Sequence, residues 1–383
     1  MVTDAACEDA QVSTREVLVA LGMARHLPAD LCVDLGMLHP TQHAAMQLNL
    51  TLDGEIISAA DPRIGFMHRS DEKIFESLDY RQLLMLASRH DWVNAFHAEL
   101  NIALLLEDAM GITPPERSTW SRMLLAELDR ITTGLLMLGA TSTNLPQAIQ
   151  AREGLVHLHE QLTGTRLHPM FVRIGGIAHE LPLDWLVALG TELDSLQLLL
   201  PALHSQVEEE FAHLAGIGII TKEQINQFGL SGNAARASGI TMDLRIQQPY
   251  LAYAQVGVPM QFGQVGDIPS RLRLLVEQLQ SSMEIIRAAA SWLREAGPGT
   301  VNTPLPKVVR VPEGTSYLAI EGPLGILGAL LDSAGDKTPW RLKLRTPSFA
   351  MVQSLTSTLI GLPLEHLGVM LQSCTFVVGD ADR

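Results

Sequence analysis

The stretch Pro114-Pro-Glu-Arg-Ser-Thr-Trp-Ser-Arg-Met-Leu-Leu-Ala-Glu-Leu-Asp-Arg-Ile-Thr-Thr-Gly-Leu-Leu-Met-Leu-Gly139 decides the fold class. Pro-Pro-Glu is a good first turn, because proline's missing N–H is not needed there. Trp120, Met123, Leu124, Leu128, Ile131 and Leu135 then recur three and four apart, so one face is apolar and the helix belongs to a core. Gly139 is its expected end.

Working outward, the same periodicity predicts a helix over Glu72–Ser88 and another from about Trp92 to Met110, stopped by Gly111. Further helices are expected around Glu153–Leu162, over Leu183–Val207, from Thr221 as a cap, and over Pro269–Ala296. Towards the N-terminus, Leu48–Ser58 reads as a β-hairpin turning at Asp53-Gly54, since glycine tolerates positive φ. Phe171-Val-Arg-Ile is strand-like. Residues 316–346 read as two or three strands with a turn at Ser333-Ala-Gly-Asp-Lys-Thr, and two short helices close the chain. The fold class is therefore mainly α with small β elements (α+β): a helical bundle, an N-terminal β-hairpin and a small C-terminal sheet. Residues 1–30 are expected as a loose acidic, Ala-rich leader. Residues 31–383 are expected as one domain, divided into a hairpin region (31–60), a bundle (61–300) and a closing region (301–383).

Hydrophobic residues make up 47% and charged residues 18% of 383, which suits a packed globular chain. The net charge of −15, with no dense Lys/Arg run, argues against a nucleic-acid partner. The start has no basic region followed by an apolar one, so no secretory signal is expected. The longest charge-free run, Ile131–Ala151, is interrupted by Thr, Ser, Asn and Pro, and no membrane span is expected. Cys7, Cys32 and Cys374 form no C-x-x-C pair, which argues against a disulfide framework and an all-cysteine metal site.

Four segments concentrate polar chemistry in a chain poor in charge. His39-Pro-Thr-Gln-His43 carries two histidines four apart, but Pro40 disfavours the helix that would aim both at a metal. By spacing alone, a loop histidine satisfying backbone groups is the plainer reading, although imidazole is the side chain best suited to proton exchange near neutral pH. Arg89-His-Asp-Trp92 sits between two apolar helices, where an Arg and an Asp usually form a structural ion pair. His168-Pro-Met-Phe-Val-Arg-Ile-Gly-Gly176 ends in a glycine pair that permits close backbone approach. Arg236-Ala-Ser-Gly239, Asp243-Leu-Arg245 and Pro249-Tyr250 make a further polar patch.

Taken in order, His39-Pro-x-x-His43, Ile64-Gly-Phe-Met-His-Arg69, Glu72-Lys73, Arg89-x-Asp-x, Ala126-Glu-Leu-x-Arg130, Arg173-Ile-Gly-Gly176, Arg236-Ala-Ser-Gly-x-x-x-Asp243-x-Arg245 and Gly379-Asp-Ala-Asp-Arg383 resemble the D subunit (the 49 kDa type) of respiratory complex I, the NADH–quinone oxidoreductase. The resemblance covers about residues 33–383 and is nearest the divergent second D-type of actinobacteria. It implies the fold of the nickel–iron hydrogenase large subunit without its cysteine pairs, the former metal pocket serving as the head of a quinone channel. It also implies a partner, the B subunit, holding the terminal [4Fe-4S] cluster, with the C subunit and the membrane-embedded H subunit as further neighbours on the cytoplasmic face. The substrate would be menaquinone or ubiquinone. NAD would act only at the level of the whole complex, as this chain has no Gly-x-Gly-x-x-Gly fingerprint.

Residue by residue, the resemblance implies that His43, with His39 in the same loop, reaches the quinone head and supplies a proton. It puts Arg69 and Arg89 beside the cluster, and makes His168 the histidine that titrates with its redox state. Asp91, Arg173, Arg236, Asp243 and Arg245 would be structural support, and no metal would bind. Three departures stand out. Trp92 replaces the quinone-facing Tyr, and an indole N–H donates a hydrogen bond without ionising. Between Gly139 and Gln150 the chain is about six residues shorter than the family pattern. It reads Thr-Ser-Thr-Asn-Leu-Pro where an acid normally partners the channel histidine. Gln42 and Ala44 flank His43 in place of smaller residues. These departures leave a second reading, a scaffold that docks partners without quinone chemistry. A hydrogenase reading fails on the missing thiolates.

Overall fold

The structure is a computed structural model that describes residues 15–21, 46–142 and 144–383. Its strands, in chain order, are β1 (Arg15–Leu21), β2 (Met46–Asp53), β3 (Ile56–Arg63), β4 (Val172–Arg173), β5 (Gly176–Ile177), β6 (Gly314–Gly322), β7 (Gly325–Ser333) and β8 (Arg341–Arg345). The helices are α1 (Asp71–Phe75), α2 (Tyr80–His90), α3 (Ala95–Met110), α4 (Glu116–Thr141), α5 (Pro146–Thr163), α6 (Leu183–Phe211) and α7 (Lys222–Phe228). They continue with α8 (Gly232–Ala237), α9 (Leu244–Gln247), α10 (Tyr253–Val256), α11 (Ile268–Glu295), α12 (Pro347–Thr358), α13 (Leu367–Ser373) and α14 (Val378–Ala381). The α+β reading holds: mainly helical, with small sheets at either end of the described chain.

The central helix is α4, which lies along α11 and also packs on α3 and α5. All six residues of its predicted apolar face are buried. Trp120 stacks on Trp292 of α11 with ring centroids 4.8 Å apart. Gly134 allows the close approach, because a Cβ there would sit 3.0 Å from Leu279 Cδ2. The helix does not end at Gly139 but runs to Thr141. Gly139 is instead a contact point, where a Cβ would lie 2.5 Å from the Ile149 side chain and push α5 away.

Where apolar spacing predicts one helix over Glu72–Ser88, two are found. Asp79 caps α2, accepting from the amides of Arg81 and Gln82 while Gln82 accepts in return from the Asp79 amide. That reciprocal capping starts a new helix inside a continuous apolar pattern. Thr221 and Gln224 form the same device at α7. α3 ends at Gly111 and α5 at Gly164, both left-handed. The stretch Leu183–Leu214 is the one described helical segment long and apolar enough, by length and composition, to cross a membrane. Here its stripe of Leu186, Leu189, Leu193, Leu196, Leu200 and Leu203 is buried, and α6 packs on α5 and α11.

β2 and β3 form the expected hairpin, with Asp53 opposite Ile56 and Gly54 at φ 62°. A third strand, β1, pairs antiparallel along β2 from Arg15↔Leu52 to Leu21↔Met46. It lies inside the segment read as a loose leader, and the difference arises because a strand formed by long-range pairing leaves little local signal. β6, β7 and β8 form an antiparallel sheet, and three helices rather than two follow it.

The core also contains charge. Glu127 of α4 is wholly buried and takes Arg130 Nε at 3.2 Å, Arg245 Nη1 at 3.1 Å, Tyr253 Oη at 2.6 Å and Ser282 Oγ at 2.6 Å. Arg245 also pairs with Asp243 at 2.6 Å, and Arg236 with Glu321 at 2.7 Å. Burial alone would raise the Glu127 pKa, but the two guanidiniums hold it well below the usual carboxylate range. Arg236, Asp243 and Arg245, one polar patch in sequence, thus bind α4, α11, β6 and the 236–253 segment together. Glu127→Gln should cost roughly 3–5 kcal/mol in chemical denaturation of the isolated chain, because it leaves buried guanidiniums short of countercharge. A loss below about 1 kcal/mol would mean that water reaches the cluster.

Candidate functional site

Arg69, Arg89 and His168 come from three separate parts of the chain and meet at the C-terminal end of α2. Arg89 closes that helix and donates to Met85 O at 3.1 Å and Ser88 Oγ at 2.9 Å. Arg69, more than half exposed, reaches from the loop before α1 and donates to Arg89 O at 3.0 Å and Asp71 at 3.3 Å. His168 donates from Nδ1 to Ser88 O at 3.0 Å; a carbonyl only accepts, so this fixes the proton on Nδ1. Burial lowers the His168 pKa, and the nearby Arg89 and Arg69 charges lower it further, so the imidazole is neutral near pH 7. Met85 and Met170 are exposed beside this face, and the Met170 sulfur lies 3.2 Å from Arg89 Nη2.

The loop carrying His168 is held by a residue that the sequence reading does not single out. Glu99 of α3 is fully buried; Oε1 accepts the Met170 amide at 2.7 Å, and Oε2 those of Phe171 and Val172 at 3.1 and 3.3 Å. Met170 is one of four non-glycine residues with positive φ, at 45°, among those described. Its sequence signal is faint: one carboxylate inside the apolar run from Ala95 to Leu106. Arg173, exposed at the loop's far end, donates to the Val172 carbonyl at 3.0 Å. Arg173 and Glu99 line a cavity of about 350 Å³ with Arg81, Met85, Met170 and Leu305.

Next to Arg89 along the chain lies a second, buried group, which includes Asp91, one of the expected supports. His90 is buried, with Nδ1 3.1 Å from Asp71 and Nε2 3.8 Å from Asp380. Burial would lower its pKa, but Asp71, Asp380 and Asp91 raise it, which favours the imidazolium. Asp91 is held by Asn94 Nδ2 at 3.0 and 2.9 Å. Its burial and the Asp380 carboxylate push it up to about 8. Asp382 accepts the amides of Gly65 and Met67 at 2.7 and 2.8 Å, tying the chain's end to the loop that presents Arg69.

Trp92 is half-buried between α2 and α3. On one side is Gly379, where a Cβ would come 3.3 Å from the indole Nε1. On the other is a small cavity walled by Asp129, Arg152 and His159. His39 and His43, with Gln42, Ala44, Cys7 and Cys32, lie outside the described residues. Arg236, Asp243 and Arg245 belong to the core network and not to this face. Cys374 is buried, and among the described residues no three His, Cys, Asp or Glu side chains are grouped to hold a metal ion.

The chain as a whole has relatives among known proteins. A family model described as the respiratory-chain NADH dehydrogenase 49 Kd subunit matches residues 138–309 and 302–383. The chain is 42% identical over 380 residues to the second D subunit (D 2) of the NADH-quinone oxidoreductase of Salinispora arenicola, covering 96% of this chain and 98% of that one. The chain belongs to the 49 kDa (D-type) subunit family of complex I. The first D subunit (D 1) of Streptomyces coelicolor is 39% identical, again over nearly the full length of both. The D subunit of Bacillus cytotoxicus is 33% identical over 92% of this chain and 98% of its own. The Salinispora arenicola second copy among these relatives agrees with the subtype that the ordered motifs resemble. As a member of this family the chain is one component of an oxidoreductase complex, and other subunits are its partners.

The Asp91 environment gives a pH test. Its folded pKa lies above the ordinary 3.8, so the folded state binds more protons between about pH 4 and 8, and stability falls as pH rises through that window. Asp91→Asn cannot ionise. Its denaturation midpoint should therefore gain on the wild type's as pH rises from about 4 to about 8. Parallel curves would show Asp91 to be ionised throughout.

Proposed function

We propose that this chain forms the quinone head-group site of a proton-translocating NADH–quinone oxidoreductase. Its Arg69–Arg89–His168 face would lie against the terminal [4Fe-4S] cluster of a partner, the B subunit. The C and H subunits would be its other neighbours, and the complex would sit on the cytoplasmic face of the membrane. The observation that supports this reading is the gathering of two guanidiniums and one neutral histidine around the end of α2.

When bound in its own subunit, the cluster supplies electrons one at a time. The guanidiniums of Arg69 and Arg89 stabilise the added negative charge and raise the potential at which it is accepted. Negative charge added beside this face would oppose the effect of the two arginines on His168 and raise its proton affinity, so His168 would hold a proton when the partner's cluster is reduced.

The quinone takes two electrons and two protons to become a quinol. Trp92 can stack on the head group or donate its N–H, but it cannot give up a proton. The proton route we propose is His43 and water, with His39 of the same sequence segment as the second candidate. Asp91 and Arg173 act as supports, the first under Arg89 and the second on the loop that carries His168. NADH is oxidised elsewhere in the complex.

Arg89→Met in the assembled complex should lower the cluster's midpoint potential and slow quinone reduction, with cluster content unchanged. An unaltered potential would remove Arg89 from the cluster's surroundings. His43→Ala should slow quinone reduction roughly a hundredfold or more if the imidazole is the proton donor. Unchanged activity would exclude it. Absence of saturable quinone binding in the assembled D–B pair would make the chain a scaffold.

A further inference from the structure

We propose that Glu99 is a positioning residue for this site. Its carboxylate latches the Met170–Val172 backbone and so sets where His168 and Arg89 stand. The inference rests on the reading of Arg89 and His168 given above, and adds the residue that holds them.

Three consecutive amides converge on one buried carboxyl, two on Oε2 and one on Oε1. Ionised acceptors make the stronger hydrogen bonds, and the three amide donors engage both oxygens of this carboxylate. The latch has something to restrain. Met170 sits at φ 45°, a conformation unfavourable for a non-glycine residue that persists only where its surroundings enforce it. Two residues before it is His168, bonded to Ser88 O; its own sulfur touches Arg89. Ser88 in turn bonds Arg89 through its hydroxyl. Glu99, the strained loop, His168 and Arg89 therefore form one connected unit spanning α3, the 168–172 loop and the end of α2.

The latch is also responsive. Burial pushes the Glu99 pKa up to about 7, against the pull of the three amides and of Ser88. The charged groups around it are Arg81 and Arg89 on α2 and Arg173 at the loop's end, and His168 within the loop is titratable; Arg81 and Arg173 share its cavity. When Glu99 takes a proton, one oxygen becomes an O–H donor facing amides that are also donors. The bonds to Met170–Val172 weaken, and the strained turn is free to relax. The loop is held above about pH 7 and loosens below it.

Glu99→Gln tests this with little change of shape. A glutamine amide group must face at least one of the three backbone donors, whichever way it is turned. Hydrogen exchange at residues 170–172 of the full chain, corrected for intrinsic pH dependence, should speed up in the wild type as pH falls from about 8 to about 6. In Glu99→Gln it should be about tenfold faster at about pH 8 and insensitive to pH. In the assembled complex, Glu99→Gln should keep its cluster but lose the part of the midpoint potential's pH dependence that lies near pH 7. Unchanged exchange would overturn the latch. Faster exchange with a wild-type potential and pH profile would overturn its positioning role. Arg89→Met and His168→Gln both leaving the potential unaltered would overturn the reading of the site itself, and the exchange result would still decide the latch.

Discussion

A carboxylate with no water to turn to organises the middle of this molecule. Glu127 enters the core on α4 and can remain there only if charge and hydrogen bonds meet it on every side. Arg130, Arg245, Tyr253 and Ser282 do so from α4, the 243–247 turn, α10 and α11. Satisfying that one group fixes where α11 lies on α4, and it draws the 236–253 segment against β6 through Glu321 and Asp243. The α2 and α3 helices that carry the site are built on this frame.

The same constraint, met with different partners, gives three chemical outcomes. Glu127 has guanidiniums and stays ionised. Glu99 has only neutral amides and a hydroxyl, so burial is not fully offset and the group is poised near neutrality. Asp91 and Asp380 both stand by His90; burial raises both carboxyls, and the Asp380 charge raises Asp91 further. The first arrangement is a fastening. The other two can change charge at the pH where an electron-transfer protein works, and both lie close to Arg89.

What could be read from the sequence follows from range. Helices built on local periodicity are legible, α4 and α11 most clearly. The break between α1 and α2 depends on one capping pair, Asp79 and Gln82, inside an otherwise continuous apolar pattern. β1 is defined by pairing with a strand far along the chain, and Gly139 ends no helix because its role is set by Ile149 across the turn. The density of charge at Arg236–Arg245 is visible, but its function as a core fastening depends on Glu127 and Glu321, each distant in sequence. Arg69, Arg89 and His168 are joined in the sequence only by the order of family motifs. Glu99 carries almost no signal, because a lone acid in an apolar helix acquires its meaning from the backbone donors that fold onto it.

Trp92 shows why residues beside a site matter as much as those within it. An indole in place of a phenol removes an ionisable hydroxyl, yet the surroundings of this indole are not inert. The wall behind it carries Asp129, paired at 2.7 Å with the buried His97, together with Arg152 and His159. Burial lowers the pKa of both imidazoles, although Asp129 pulls each the other way, and the ring held against Asp129 is neutral. On the opposite side, Gly379 gives the indole room and leads directly to Asp380 and the His90 cluster. Trp92 therefore separates two groups of titratable side chains and ionises with neither. At this position the side chain shapes and seals the surface, and the capacity to exchange protons rests with the carboxyl and imidazole groups on either side of it.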